Sequence, residues 1–231
     1  MASLAPISCI KEYRLIPLSV ISFPTFQAPM FSFTRLRGAD PTLGVEMSST
    51  GEVACFGYDS HEAFLQSMLS TGFKLPTRTR TILLSIASEE FRSEFLDAAR
   101  ILAKLGYNLV GTPGTARYYN ESGLSIVTVT KPVNEEDIEQ CAATGASSAL
   151  KEIHDGHIDM VINISEGTNR RDEITSGYVI RRAAVDFDVS LITNVKCAVK
   201  LVECLDRGYD TFRPKHIGQF YKMPTIGWSK K

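Results

Sequence analysis

The chain has 231 residues, of which 44% are hydrophobic and 22% are charged, a composition typical of a globular protein with a substantial core. Its formal net charge of −1 excludes a general attraction to nucleic acid or to an anionic membrane, so any anion site must be local. The five cysteines are widely spaced and form no CxxC motif, which predicts reduced thiols in an intracellular compartment.

Two local patterns have alternative interpretations. His154 and His157 flank the turn HDGH and could bind a metal, but solvated turn residues are the commoner explanation, so no metal site is predicted. The N-terminal run LIPLSVISF is too short to span a bilayer and lacks a small-residue cleavage site after it. Residues 1–27 therefore stay unassigned, with a targeting role, a buried strand or a leftover of a larger chain as alternatives.

Residues 28–75 differ from the rest of the chain because they are rich in small and turn-forming residues. Within them, SHEAFLQSMLSTGF predicts a helix that Ser60 caps and that Gly72 ends. The polar stretch KLPTRTR follows this helix and is predicted to be a linker.

From residue 80 onwards, apolar runs of strand length alternate with helical patterns. The predicted strands are TILLSIA, YNLVGT, LSIVTVT, IDMVINI and VSLITN. The first predicted helix is capped by Ser88 and stopped by Gly106, a short one covers Ala116–Glu121, and the others lie in SSALKEIHDGH, YVIRRAAVDFD and VKCAVKLVECLDRG. This alternation predicts an α/β fold, a five-stranded parallel sheet with helices on both faces.

Polar residues follow the predicted strands at the edge where parallel sheets bind ligands. Thr112 and Thr115 lie in the turn after the second strand, Lys131 follows the third, and Asn163 and Ser165 stand at the end of the fourth. Hydroxyls, an amide, an ammonium and the N–H groups of a helix start suit a phosphate or carboxylate. The threonines could instead be ordinary turn and cap residues, and Lys131 a solvated loop residue.

Catalysis has little support in the sequence. The chain contains no nucleophile elbow, Walker loop or GxGxxG motif. A general acid or base would have to come from polar loops, where solvation is the default explanation, and the candidates there are Glu135, Glu136, Asp137 and Glu166. Of the arginine pair Arg181 and Arg182, one could reach the crevice while the other faces solvent or a neighbouring domain.

Several stretches resemble the C-terminal part of the large chain of carbamoyl-phosphate synthases. APMFSFTRLRGADPTLGVEMSSTGEVACFG resembles the end of the second synthetase half. GTPGT, VINIS, GYVIRRAAVDF and LITNVKC occur in the order of the family's regulatory domain, which has the methylglyoxal-synthase-like fold. The resemblance implies an unassigned segment at 1–27, a tail of the ATP-grasp synthetase half at 28–75, an allosteric domain at 76–208 and a C-terminal extension at 209–231.

The resemblance also implies how these regions are supported. The tail at 28–75 becomes a short α+β remnant without its synthetase partner, and it is expected to be poorly supported and to expose apolar surface, with helix 60–71 as the exception. Residues 80–208 are expected to fold alone, since their strands and helices form a complete core.

Family members bind different effectors in this domain: uridine and inosine monophosphates in bacteria, uridine triphosphate and phosphoribosyl pyrophosphate in animal pyrimidine-pathway enzymes, and N-acetylglutamate in urea-cycle enzymes. Carried over by motif, the phosphate site consists of Thr112, Thr115, Lys131, Asn163 and Ser165, with Ser165 in place of a threonine. Further candidates are Ser88, Arg92, Arg170 and Arg181. The N-acetylglutamate type has tryptophan at the position of Lys131 and asparagine at that of Gly177, so both differences favour a phosphorylated effector, of the uridine or inosine nucleotide type.

The resemblance implies no catalytic residue in this chain, because the ATP-grasp residues precede GADPTLGVEM in the family. ATP, magnesium and potassium would serve the parent synthase, whose synthetase and glutaminase domains are the implied partners, and the fragment itself would need no cofactor. The alternatives are a methylglyoxal synthase-type lyase acting on dihydroxyacetone phosphate, which uses a GGD loop where this chain has VNEEDIEQ, and a pure domain-interaction module. A cytoplasmic location, with an organelle as the alternative, is expected.

Overall fold

The computed structural model describes residues 11–13, 24–31, 33, 36, 38–41, 49–77, 79–131, 148–165 and 176–209. The strands are β1 (Lys11–Tyr13), β2 (Thr25–Met30), β3 (Gly51–Phe56), β4 (Thr81–Ile86), β5 (Asn108–Gly111), β6 (Val127–Thr128), β7 (Met160–Ile164) and β8 (Ser190–Ile192). The helices are α1 (Ser60–Ser70), α2 (Glu89–Lys104), α3 (Pro113–Glu121), α4 (Ala149–His154), α5 (Ser176–Asp186) and α6 (Val195–Asp206). None of these helices is long and apolar enough to cross a membrane.

The predicted five-stranded parallel sheet is confirmed. Its strand order is β6-β5-β4-β7-β8, and each neighbouring pair is parallel. Successive side chains of a strand point to opposite faces, so Leu84 of β4 packs with α2 and α6 while Leu83 packs with α4 and α5. The apolar central strands are therefore covered by helices on both sides, which explains why they read as continuous hydrophobic runs.

The N-terminal elements form a three-stranded antiparallel sheet in the order β1-β2-β3. The expected exception within residues 28–75, a supported helix at 60–71, is confirmed, whereas β3 of the same segment has no buried residue. Phe64 and Met68 of α1, with Phe26 of β2 and Phe73, are buried in the same core as α2 and α6. The apolar face of α1 packs against helices that cover the parallel sheet, although Leu36 and Tyr58 remain exposed. The predicted boundary at residue 76 stays a prediction.

The helix ends agree with the sequence in part. Ser88 caps α2 as predicted, and its hydroxyl accepts a hydrogen bond from Phe91 N at 3.2 Å. Ser60 was the wrong cap for α1, because the neighbouring Asp59 accepts from two backbone N–H groups at 2.8 Å. The short helix begins at Pro113 rather than Ala116, since proline at the first helical position needs no hydrogen-bond partner.

Candidate functional site

The sheet brings the predicted site residues to one edge. Leu84 pairs with Gly111 and Ser85 with Asn163, so the turn after β5 and the end of β7 flank the end of β4. Gly111 also pairs with Thr128, which places Lys131 just beyond the neighbouring strand. The carboxyl ends of β4, β5, β6 and β7 thus border one crevice.

Thr112 and Thr115 form the floor of this crevice, and both are only 1% exposed. The hydroxyl of Thr115 accepts from Ile86 N at 3.0 Å and lies 3.2 Å from Ile86 O and 3.2 Å from the hydroxyl of Thr112. One donor and two acceptor positions are all that a hydroxyl has. Thr115 therefore fastens the turn to β4, and Thr112 supplies the proton of the bond between the two hydroxyls, which a ligand would have to displace to reach Thr112.

The start of α3 leaves backbone donors open. The side chain of Thr112 makes no capping hydrogen bond, and Pro113 has no N–H group. Among the described residues, the N–H groups of Gly114 and Thr115 have no hydrogen-bond partner. These two donors point out of the positive end of the helix, where an anion is favoured.

Arg92 lies over the same turn, and Lys131 is close enough to Arg92 for their charges to interact. Arg92 is held by the carbonyl oxygens of Ile86 and Ala87 at 2.9 and 2.6 Å. A methyl group added to Gly114 would lie 3.5 Å from Arg92 Nη2, so the guanidinium lies directly above the turn. Burial, together with the charge of Arg92, lowers the pKa of Lys131, although the residue as a whole remains exposed. Within the described residues neither cation has a carboxylate partner.

Asn163 completes the crevice from β7 and is 2% exposed. Its Oδ1 accepts a hydrogen bond from Arg181 Nη1 at 2.9 Å. Arg181 is itself buried and forms a two-pronged ion pair with Asp40, with Nε–Oδ1 at 2.8 Å and Nη2–Oδ2 at 2.5 Å. Ser165 directly follows β7 and is partly exposed at the same edge.

Arg182, the next residue of α5, does different work from Arg181. Its Nη1 donates to the backbone carbonyls of Phe33, Leu36 and Ala39 at 3.2, 3.0 and 3.3 Å. Its other nitrogens pair with Asp186, which raises the pKa of Arg182 through a hydrogen bond. The two arginines therefore have different roles: Arg181 reaches the crevice, and Arg182 holds the segment from Phe33 to Ala39.

The remaining candidates contribute less to the described site. The hydroxyl oxygen of Ser88 accepts the capping hydrogen bond of α2 from Phe91 N. Arg170 lies outside the described residues, as do the four acidic candidates Glu135, Glu136, Asp137 and Glu166. In the described part of the chain, no group of three or more His, Cys, Asp or Glu side chains could hold a metal ion, and His154 and His157 pair with separate acids.

Asp40 is the residue that sequence reasoning missed. It stands 141 positions before Arg181 along the chain, in a segment assigned to a different region. The acidic residue in GADPTLG was visible, but nothing local pairs it with a basic residue on a helix so far away. Chemically, the assembled crevice presents backbone N–H groups, hydroxyls, an amide and two cations, a set that can bind an anion.

Comparisons with known proteins identify the family of the chain. A family model described as the MGS-like domain matches residues 94–193. The chain is 44% identical over 197 residues to the multifunctional protein pyr1-3 of Dictyostelium discoideum, which covers 84% of this chain and 8% of that protein. The corresponding values for the multifunctional protein CAD of Squalus acanthias are 44% over 189 residues, 80% and 8%.

A third relative is the mitochondrial carbamoyl-phosphate synthase (ammonia) of Aquarana catesbeiana, 41% identical over 194 residues, with 84% of this chain and 12% of that protein covered. The chain thus spans about a tenth of the length of these curated relatives. The matched region, the five-stranded parallel sheet and the identity over four fifths of the chain together lead to one conclusion: this chain carries the MGS-like domain of the carbamoyl-phosphate synthase family.

Proposed function

We propose that the crevice at the carboxyl edge of the parallel sheet binds a phosphorylated small-molecule effector of the uridine or inosine nucleotide type. The observation that carries the proposal is the Arg92 guanidinium over the open N–H groups of the Gly114–Thr115 turn, with Lys131 just beyond the neighbouring strand. Cations beside open backbone donors are a costly arrangement unless an anion joins them. A phosphate monoester brings close to two negative charges at neutral pH and three acceptor oxygens, which matches that set of donors.

The same residues support regulation rather than catalysis. A bond-making site needs a poised acid or base near the reacting atom. The described groups that line the crevice are donors and cations, and Asn163 and Thr112 are neutral at every physiological pH. We therefore propose that the chain is an allosteric region, not itself catalytic, of a carbamoyl-phosphate synthase of the pyrimidine or arginine pathway.

We propose that this region belongs to a longer protein. Its relatives are about ten times its length, so their other functions would lie outside the matched region. We propose that synthetase and glutaminase domains are the partners of this region, and that ATP, magnesium and potassium serve those domains. On this proposal the isolated chain does not turn over ATP with bicarbonate and ammonia, and an ATPase assay under those conditions checks it.

Calorimetric titration of the whole chain tests the proposal. Uridine monophosphate, uridine triphosphate and inosine monophosphate are the ligands, and uridine is the matched control without phosphate. At least one nucleotide is expected to bind, with uridine much weaker. Binding of N-acetylglutamate with no nucleotide binding would refute a phosphate site, and conversion of dihydroxyacetone phosphate to methylglyoxal would refute a purely regulatory role.

A further inference from the structure

We infer that Asp40, in the segment before the parallel sheet, is a positioning residue of the effector site. Through Arg181 it turns the amide of Asn163 so that the NH2 group, rather than the oxygen, faces the bound anion. This inference rests on the proposed function, because the anion it concerns is the proposed effector. It adds a residue that lies in neither the predicted site nor the same region of the chain.

The orientation of the Asn163 amide follows from donor chemistry. A guanidinium carries five N–H donors and no acceptor, so only Oδ1 of Asn163 can face Arg181 Nη1, at 2.9 Å. The two hydrogens on Nδ2 then point elsewhere. Within the described residues Nδ2 of Asn163 has no hydrogen-bond partner. It is also not one of the fully buried, unpaired polar atoms, so it keeps some access to solvent. It is the side of the amide available at the carboxyl edge, and it carries the right polarity for a phosphate oxygen.

The orientation of Arg181 depends in turn on Asp40. Two parallel N–H···O contacts, at 2.8 and 2.5 Å, fix the plane of the guanidinium as well as its position. The arginine side chain is 6% exposed whereas the aspartate is 39% exposed, so the pair stands at the border of the core. Without the carboxylate, the buried guanidinium of Arg181 loses its only described ionic partner. It is then free to rotate and to bind Asn163 Oδ1 in a different geometry.

Gly177 of α5 lies beside the contact between Arg181 and Asn163. A Cβ added to Gly177 would lie 3.2 Å from Arg181 Nη1 and 3.6 Å from Asn163 Oδ1. Glycine here therefore leaves Arg181 the space that a side chain would take. A change at Asp40 is expected to be absorbed by rotation of Arg181 or of the amide.

A double-mutant cycle on the whole chain tests the inference, with uridine monophosphate as the probe. Asp40→Asn is expected to weaken its binding by roughly three- to tenfold, the effect of one disturbed hydrogen bond. In an Asn163→Ala background the same change is expected to have no further effect, because the group that Asp40 positions is gone. Asp40→Glu, which keeps the charge, should recover part of the affinity.

Asp186→Asn is the matched control, since it removes the carboxylate from the neighbouring Arg182 on the same helix. It is expected to leave affinity within about twofold of wild type. If Asp40→Asn weakens binding equally in the wild-type and Asn163→Ala backgrounds, Asp40 acts through general stability and the inference is wrong.

A second measurement does not depend on affinity. In the unliganded protein, the side-chain amide resonances of Asn163 should shift in Asp40→Asn and not in Asp186→Asn. An unchanged Asn163 amide overturns the inference, even where Asp40→Asn is too unstable to titrate. A wild-type chain that binds none of the nucleotides overturns the proposed function itself, whereas nucleotide binding that is indifferent to Asp40 overturns this inference alone.

Discussion

Lys131→Ala is expected to weaken the binding of uridine monophosphate by about tenfold without destabilising the protein. A charge-assisted hydrogen bond contributes about 1.5–3 kcal/mol where it is shielded from water. Lys131 is exposed as a residue, so solvent screening places its contribution at the lower end of that range. Since about 1.4 kcal/mol corresponds to a factor of ten in the dissociation constant, roughly tenfold follows.

The stability of the unliganded protein provides the second half of this test. Burial and the charge of Arg92 lower the pKa of Lys131, which means that the folded protein disfavours the lysine's charged form. Removing the ammonium relieves that repulsion, so the melting temperature at neutral pH should not fall. Lys104→Ala, at the far end of α2 and the opposite edge of the sheet, is the charge-matched control and should leave affinity unchanged. Equal affinities of wild type and Lys131→Ala would remove Lys131 from the site.

Three further measurements bear on the site and its support. Thr115→Val should lower the free energy of unfolding by about 1–3 kcal/mol, because the buried N–H of Ile86 loses its acceptor, while Thr115→Ser should cost less; equal losses in chemical denaturation would contradict this. Nucleotide affinity should fall as the pH rises through the lowered pKa of Lys131, because the bound phosphate favours the protonated amine and binding therefore takes up a proton in that pH range. The same fall in affinity with pH in Lys131→Ala would show that Lys131 is not the titrating group. A fragment starting at residue 76 should fold but melt below the full chain, because it uncovers the core surface that Phe64 and Met68 bury; identical melting curves would show that α1 adds nothing.

The parallel sheet could be predicted from the sequence because its signals are local. Long apolar strands alternate with helical patterns, and the chirality of βαβ connections leaves few ways to arrange them. Capping was harder, since Asp59 and Ser60 are adjacent and both are good caps. Only the backbone angles of the real turn decide which of them precedes the first helical residue.

The site could be predicted as a set of residues but not as a set of roles. The sequence does not distinguish the hydroxyls of Thr112 and Thr115, yet the backbone of Ile86 already engages that of Thr115. That partner lies 29 residues away, and the pairing of β4 with β5 is what brings the two together. The ion pair of Arg181 with Asp40 spans a still longer separation, and neither residue type is distinctive enough to reveal it.

Arg182 contacts the segment from Phe33 to Ala39 through main-chain atoms and not through side chains. One guanidinium nitrogen donates to the carbonyl oxygens of three residues, and every amino acid carries such an oxygen. A substitution at the exposed Leu36 should thus leave these hydrogen bonds intact, whereas one inserted residue between Phe33 and Ala39 would change the spacing of the three acceptors. We therefore expect homologous chains to differ in the amino acids of this segment but to conserve its length.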